Sequence, residues 1–323
     1  MIELRKLRKS YGSRQALDGL SLTVPDGAAY GLIGPNGAGK STVLRLLLGL
    51  ESADSGELWL DGMRPDSNVR RLKKRIGYAA DSFGSYPGLE VGEYMRFFAA
   101  CYELSGTAVT RRIQLLLEQA GLMGREGQQV DSLSRGQQQR LSIARALIHD
   151  PRILILDEPT EGIEPGSRQA LLRFLSELSG EGKTLLVSAR QLSELSGLCT
   201  HVGILDHGRL LIEGEVSEVL RSVNASSPIV LSIAGALPET MRILRRDRKV
   251  RALSIRNREI WIHYDGTEEE EAGLLAELVA AGIPVRGFHR EKGDLEAIFL
   301  RLNGNRGERT VTSYETESDF PER

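Results

Sequence analysis

Ala29-Tyr-Gly-Leu-Ile33 runs directly into Gly34-Pro35-Asn36-Gly37-Ala38-Gly39-Lys40-Ser41-Thr42, and from Ser41 an apolar stretch continues to Leu50. A short β-prone run, a glycine-rich loop and a helical stretch make a strand, loop, helix unit. From Gly34 to Ser41 the loop fits the phosphate-binding pattern G-x-x-x-x-G-K-[ST], in the strand-to-helix setting that its chemistry requires. Glycines let backbone N–H groups turn inward on phosphate oxygens, and the helix N-terminus adds positive potential. Lys40 would reach the β- and γ-phosphates of a nucleotide, and the Ser41 hydroxyl, with Thr42 beside it, would ligate Mg²⁺. The competing reading, a glycine-rich turn produced by chance, is expected about 0.01 times in a chain of this composition.

Outward from this unit, Ile2 to Leu7 and Leu20 to Val24 are strand-like, as are Arg152 to Leu156, Thr184 to Ser188 and His201 to Leu205. The last three are separated by helical segments, an alternation that predicts a parallel sheet covered by helices. Ile153-Leu-Ile-Leu156 ends in Asp157-Glu158, so Asp157 would emerge at the C-terminal edge of that sheet beside the phosphate loop, where it can hold Mg²⁺. Glu158 would then orient or deprotonate the water that attacks the γ-phosphate. An acidic pair after a strand is commonly only a helix-capping turn; the phosphate loop upstream gives this pair its chemical meaning.

The chain has 323 residues, more than one core usually organises, so two domains of unequal size are expected. Apolar residues make up 41% and charged residues 27%, which excludes wholesale disorder and a multi-span membrane protein. Net charge is −2; divided after Ser222, the chain carries 27 basic against 27 acidic residues, then 15 against 17. Neither part offers the basic field that a nucleic acid partner needs. Two cysteines, Cys101 and Cys199, are too few for a disulfide framework or a zinc site, and the five histidines show no metal spacing. The N-terminus alternates apolar and charged residues as a strand does, and no window of about 18 residues is apolar enough to span a bilayer.

Between Glu90 and Leu122 the pattern is helical throughout, with Tyr94, Phe97, Phe98 and Cys101, then Ile113, Leu116 and Leu117, read as core at i, i+3, i+4 spacing. This helical insert extends over about 90–145, and the charged cluster Arg70 to Arg75 reads as a solvated helix face. Asn224-Ala-Ser-Ser-Pro228 is a turn-rich joint, so the first domain is expected to span 1–222. Beyond it come a strand (Ile229 to Ile233), a helix (Pro238 to Arg246), two strands (Val250 to Ile255, Glu259 to Tyr264), a helix (Glu268 to Ala281) and a strand (Pro284 to His289). That β-α-β-β-α-β order is ferredoxin-like, and a closing helix from Asp294 to Leu302 completes a small α+β domain over 223–302. Glu268 to Glu271 sit where the helix macrodipole favours acidic side chains. Residues 303–323 are polar and aperiodic and read as a disordered tail.

Leu133-Ser134-Arg-Gly136-Gln137, followed by Gln138-Gln139-Arg140, lies between the phosphate loop and Asp157 and is similar to the signature sequence of the nucleotide-binding subunits of ABC transporters. The resemblance covers about the first 222 residues and implies a P-loop ATPase of ABC type that uses ATP and Mg²⁺. It implies that Ser134 and the Gly136 backbone, with Gln137 beside them, meet the γ-phosphate bound by an opposing subunit, so that two composite sites form in a head-to-tail dimer. That second nucleotide-binding subunit would be an identical or a related chain. Tyr11 resembles the family's adenine-stacking aromatic; a half-buried strand tyrosine is the alternative. Glu161-Gly-Ile-Glu164-Pro165 resembles the D-loop, with Glu164 where Asp is usual. Gly293 to Leu302 looks like the terminal helix of subunits that serve type-2 ABC exporters, or equally an amphipathic closing helix.

Two positions depart from the family pattern. Asp81 stands where a Gln linking Mg²⁺ and the attacking water to the membrane partner is usual, and Arg190 where a γ-phosphate-sensing His is usual. Both are expected to face the γ-phosphate, Asp81 as a metal ligand and Arg190 as a stabiliser of transition-state charge. The resemblance thus implies an ATP-hydrolysing subunit that drives a separate permease of an exporter, held in the cytoplasm on the inner face of the membrane through that permease. A slow or inactive ATP-gated clamp is the alternative that the two departures raise. A soluble ABC protein of translation or DNA repair would require a second motif set or a basic patch, and the chain has neither.

Overall fold

The computed structural model describes residues 1–65, 69–195, 197–219, 227–256 and 259–290. The chain divides into two compact units, Met1–Val219 and Leu220–Arg323, three residues ahead of the joint expected after Ser222.

In the first unit, β3 (Ala29–Ile33) is buried at every residue because it lies inside a six-stranded sheet, flanked by parallel strands on both sides. The sheet order is β5 (Ile76–Ala79), β6 (Ile153–Leu156), β7 (Thr184–Ala189), β3, β8 (His201–Asp206) and β9 (Arg209–Glu215), and only β9 runs antiparallel. Strands buried on both faces must be apolar throughout, which is why β6 reads Ile-Leu-Ile-Leu rather than alternating. A second sheet, β2 (Arg14–Val24), β1 (Ile2–Tyr11) and β4 (Ser55–Leu60), is antiparallel and three-stranded. Ile2, Leu4, Leu20, Leu22 and Leu60 from it share one core with Val43, Leu44 and Leu47 of α1 (Lys40–Leu47) and with Leu32 and Ile155 of the parallel sheet.

The short α2 (Val69–Lys73) precedes β5, and buries only Leu72 among basic neighbours. The helical insert comprises α3 (Val91–Cys101), α4 (Thr107–Gln119) and α5 (Arg135–Ala146), with the chain turning at a left-handed Gly106 where continuous helix was expected. Its core differs from expectation at two residues. Phe97 is 57% exposed and Cys101 is exposed; the buried stripe of α3 is Val91, Tyr94, Met95 and Ala99. Phe98, not Phe97, takes up the inward edge, where Arg145 of α5 lies 5.0 Å from its ring centroid. After β6 comes α6 (Pro165–Gly180).

The second unit holds β10 (Ile229–Ile233), α7 (Leu237–Arg246), β11 (Val250–Arg256), β12 (Glu259–Tyr264), α8 (Glu268–Ala280) and β13 (Val285–Arg290). Its sheet is antiparallel in the order β11-β12-β10-β13, the ferredoxin-like arrangement. A separate core of Ile229, Leu231, Leu244, Ile262, Leu274 and Leu278 closes under the two helices. Thr267 caps α8 with a capping box to Glu270, and four glutamates occupy its first turn. The closing helix and tail expected over 294–323 lie outside the described residues.

Candidate nucleotide-binding site

Strand register brings the site residues to one edge of the parallel sheet. Ile33 pairs with Ala189 and Leu156 with Val187, so Gly34, Arg190 and Asp157 leave β3, β7 and β6 side by side. Gly34 N–H donates to the Ala189 carbonyl at 3.2 Å, and Asp157 N–H donates to the Ala79 carbonyl of β5 at 3.0 Å. Asp81, two residues past Ala79, therefore reaches the same edge.

The phosphate loop needs its glycines. Gly37 and Gly39 have φ of 83° and 112°, and a Cβ on Gly34 would sit 2.2 Å from the Leu205 carbonyl oxygen. Ala38 is buried, and its carbonyl accepts a hydrogen bond from Gly208 N–H at 2.8 Å, tying the loop to the turn after β8. Lys40 opens α1 and is 4% exposed, its Nζ donating to the carbonyls of Gly34 at 2.6 Å and Pro35 at 3.2 Å. The same ammonium lies 3.2 Å from Glu158 Oε1. A cleft of about 450 Å³ opens here, lined by Tyr11, Arg14, Ala16, Pro35, Asn36, Gly37, Gly39, Lys40, Ser41, Thr42, Arg45 and Glu158. Tyr11, the last residue of β1, is 41% exposed, bonds Glu51 through its hydroxyl and forms part of the cleft wall. Arg14 and Arg45 add two cations that no sequence pattern singled out.

At the sheet edge Ser188 joins the two carboxylates. Its hydroxyl donates to Asp157 Oδ1 at 2.6 Å and accepts from Glu158 N–H at 2.9 Å. Asp157 is 8% exposed, and burial, reinforced by the charges of Asp81 and Glu158, raises its carboxyl above the usual range. Glu158 adopts a left-handed φ of 41°, unusual for a non-glycine residue. Burial pushes its carboxyl up, but a hydrogen bond with Glu161 and the Lys40 and Arg190 charges outweigh it and hold the group below its ordinary range. Arg190 turns to two glutamates: its Nε donates to Glu158 Oε2 at 3.0 Å and its terminal nitrogen pairs with Glu161. Asp81 is exposed and accepts from the following Ser82 N–H at 2.7 Å, because β5 ends at Ala79 and the chain turns outward.

Ser134, Gly136 and Gln137 lie apart from this cleft, at the start of α5. Ser134 accepts from Gln137 N–H at 3.4 Å while the Gln137 side chain accepts from Ser134 N–H at 2.9 Å, a complete capping box. Gly136 is buried against α6, where a Cβ would meet Ser167 at 2.9 Å. An exposed serine at the start of a twelve-residue helix presents free N–H groups and positive potential outward.

A phosphate loop on a sheet of this order, with an α-helical insert between it and the Asp157 strand, defines a P-loop ATPase fold of the ABC type. The ABC transporter family matches residues 17–161. The chain is 30% identical over 306 residues to the linearmycin resistance ATP-binding protein LnrL of Bacillus subtilis, covering 94% of this chain and 98% of that one. It is 36% identical over 304 residues to the Nod factor export ATP-binding protein I of Cupriavidus metallidurans, with 94% and 97% covered. Among solved structures it resembles cbiO1 from Clostridium perfringens, part of the ABC transporter complex cbiONQ, with a TM-score of 0.63 at 25% identity over 76% of this chain and 98% of that one. The dimeric structure of the bacterial ABC transporter cassette MJ0796 is similar with a TM-score of 0.61 at 28% identity, covering 67% and 99%. This chain belongs to the ABC transporter ATP-binding proteins, whose characteristic activity is ATP hydrolysis.

Proposed function

We propose that this chain is the ATP-hydrolysing subunit of an exporter and drives a separate membrane permease, from the cytoplasmic face of the membrane, by dimerising on ATP and separating after hydrolysis. One observation carries the reading: Lys40, Glu158, Asp157 and Ser188 form one bonded group at the mouth of a cleft walled by the phosphate loop. The cleft suits a nucleotide, with Tyr11 for adenine and the loop from Gly34 to Thr42 for phosphates. Export as the direction of transport is suggested by the named Nod factor export relatives.

A divalent cation fits the residues present. Asp157 is a buried carboxylate crowded by the charges of Asp81 and Glu158, which a cation would relieve, and Ser41 offers a hydroxyl. Among the described residues no three His, Cys, Asp or Glu side chains cluster to hold a metal ion by themselves, so Mg²⁺ would share its shell with nucleotide phosphates and water. Bound there, it would neutralise phosphate charge. Lys40 would exchange Glu158 for the β- and γ-phosphates, leaving Glu158 Oε1 to take a proton from water. Ser134 and the N–H groups at the start of α5 would meet the γ-phosphate held by a second copy or a related subunit. Isothermal titration tests the site: Lys40→Ala should weaken ATP binding at least about tenfold, ~1.4 kcal/mol, and unchanged affinity would refute the assignment.

The double engagement of Glu158 by Lys40 and Arg190 also supports the second reading, a clamp that binds ATP and turns over little. Turnover of the full chain decides between them.

A further inference from the structure

Glu161 follows Glu158 by three residues and opens the stretch that resembles the D-loop, a resemblance that gives its side chain no role. It nevertheless stands at the centre of the charged group. Its carboxylate pairs with the Arg190 guanidinium, whose Nε meanwhile holds Glu158 Oε2 at 3.0 Å. The other oxygen of Glu158, Oε1, faces Lys40 at 3.2 Å. The two oxygens of one carboxylate are therefore assigned to different sides: Oε2 to the arginine, Oε1 to the phosphate loop.

We propose that Glu161 is a positioning residue for hydrolysis, anchoring Arg190 across Glu158 so that Oε2 stays bound and Oε1 is presented to the attacking water. The physical need is clear from the exposure of the arginine. Arg190 is 42% exposed on a long side chain with several rotatable bonds, so a single hydrogen bond to Glu158 would leave it free to swing into solvent or onto phosphate. A second carboxylate on the neighbouring nitrogen of the guanidinium holds it in one geometry. Glu161 can serve because Gly162, with φ of 65°, lets the chain turn immediately after it; Arg135 packs so closely on Gly162 that a Cβ there would lie 2.6 Å from its guanidinium carbon. The neighbouring Glu158 carboxyl raises the Glu161 carboxyl above its ordinary range, and the Arg190 guanidinium that both carboxylates contact offsets their repulsion.

This proposal rests on Glu158 handling the attacking water, and the experiment separates the two. Steady-state ATPase kinetics of the purified full chain are measured for Glu161→Ala, Glu161→Gln, Arg190→Ala and the double variant Glu161→Ala/Arg190→Ala, with Glu158→Gln alongside. Glu161→Ala should lower kcat about tenfold with KM for ATP within about twofold, and Glu161→Gln, which keeps the acceptor, should recover most of the loss. In the double variant, loss of Glu161 should cost nothing beyond loss of Arg190, since it acts through that residue. A kcat indifferent to Glu161→Ala, or losses that multiply in the double variant, would overturn the proposal. Turnover that survives Glu158→Gln would instead unseat the role of Glu158 itself.

Discussion

Glu158 is held in a left-handed backbone conformation between two cations, and that placement governs how its carboxylate titrates. The groups facing it are Lys40 from α1, Arg190 after β7, and Glu161 and Asp157 from its own segment. Burial favours its neutral form; Glu161, Lys40 and Arg190 favour the charged one and win. A base must be deprotonated to act, so the acid limb of turnover should fall below the ordinary glutamate value of about 4.3. Arg190→Ala removes a charge that favours the carboxylate, so its pKa rises and the limb should move to higher pH. The pH profile of kcat for both proteins checks the sign. Arginine stays protonated throughout, so position 190 itself contributes no limb, as a histidine would.

At the scale of elements, α5 carries two duties on one residue. Ser134 caps the helix and is also the exposed group offered to a partner's nucleotide in the proposed dimer. Ser134→Ala should therefore cost about 1 kcal/mol of folding stability from the lost cap, roughly 2–4 °C in a unit of this size. It should also weaken ATP-dependent dimerisation by more than that loss explains. Thermal unfolding and light scattering with Mg-ATP report the two effects separately, and Ser134→Asn, which still caps, should restore the first but not the second. Loss of dimer in proportion to melting alone would confine Ser134 to its cap. The phosphate loop behaves differently: its conformation depends on backbone space, as the approach of Gly34 to the Leu205 carbonyl demonstrates.

For the whole molecule, two cores imply two folding units. Leu17, Leu44, Leu186 and their neighbours close the first, while Ile229, Leu244 and Leu278 close the second. A chain ending at Val219 should remain soluble and bind ATP with affinity near that of the full chain, by titration calorimetry; aggregation or lost binding would show one cooperative core. No described helix is long and apolar enough to cross a membrane. Glu158→Gln should keep ATP binding and trap the dimer, since the amide preserves shape without the base. A species that stays monomeric by light scattering at saturating Mg-ATP would contradict ATP-dependent pairing of this chain alone.

The local sequence determined what local chemistry can express. Gly34 to Ser41 spelled the phosphate loop, the apolar run before Asp157 spelled a strand buried on both faces, and alternation with turns marked the four described strands of the second unit to within about a residue or two. Edge strands were harder to read: β4, β5 and β9 are short or half exposed, and lack the continuous apolar run that marks a central strand. Phe97 and Phe98 could not be told apart by periodicity, because which shoulder of α3 is covered depends on Arg145 from another helix. Only the tertiary structure decided the partners of Arg190. Residues 157 to 161 and 188 to 190 are some thirty positions apart in the chain, and it is the pairing of Leu156 with Val187 that sets them side by side. The charge of an arginine is legible in a sequence, but the carboxylates it meets are set by strand register, a property of the assembled sheet.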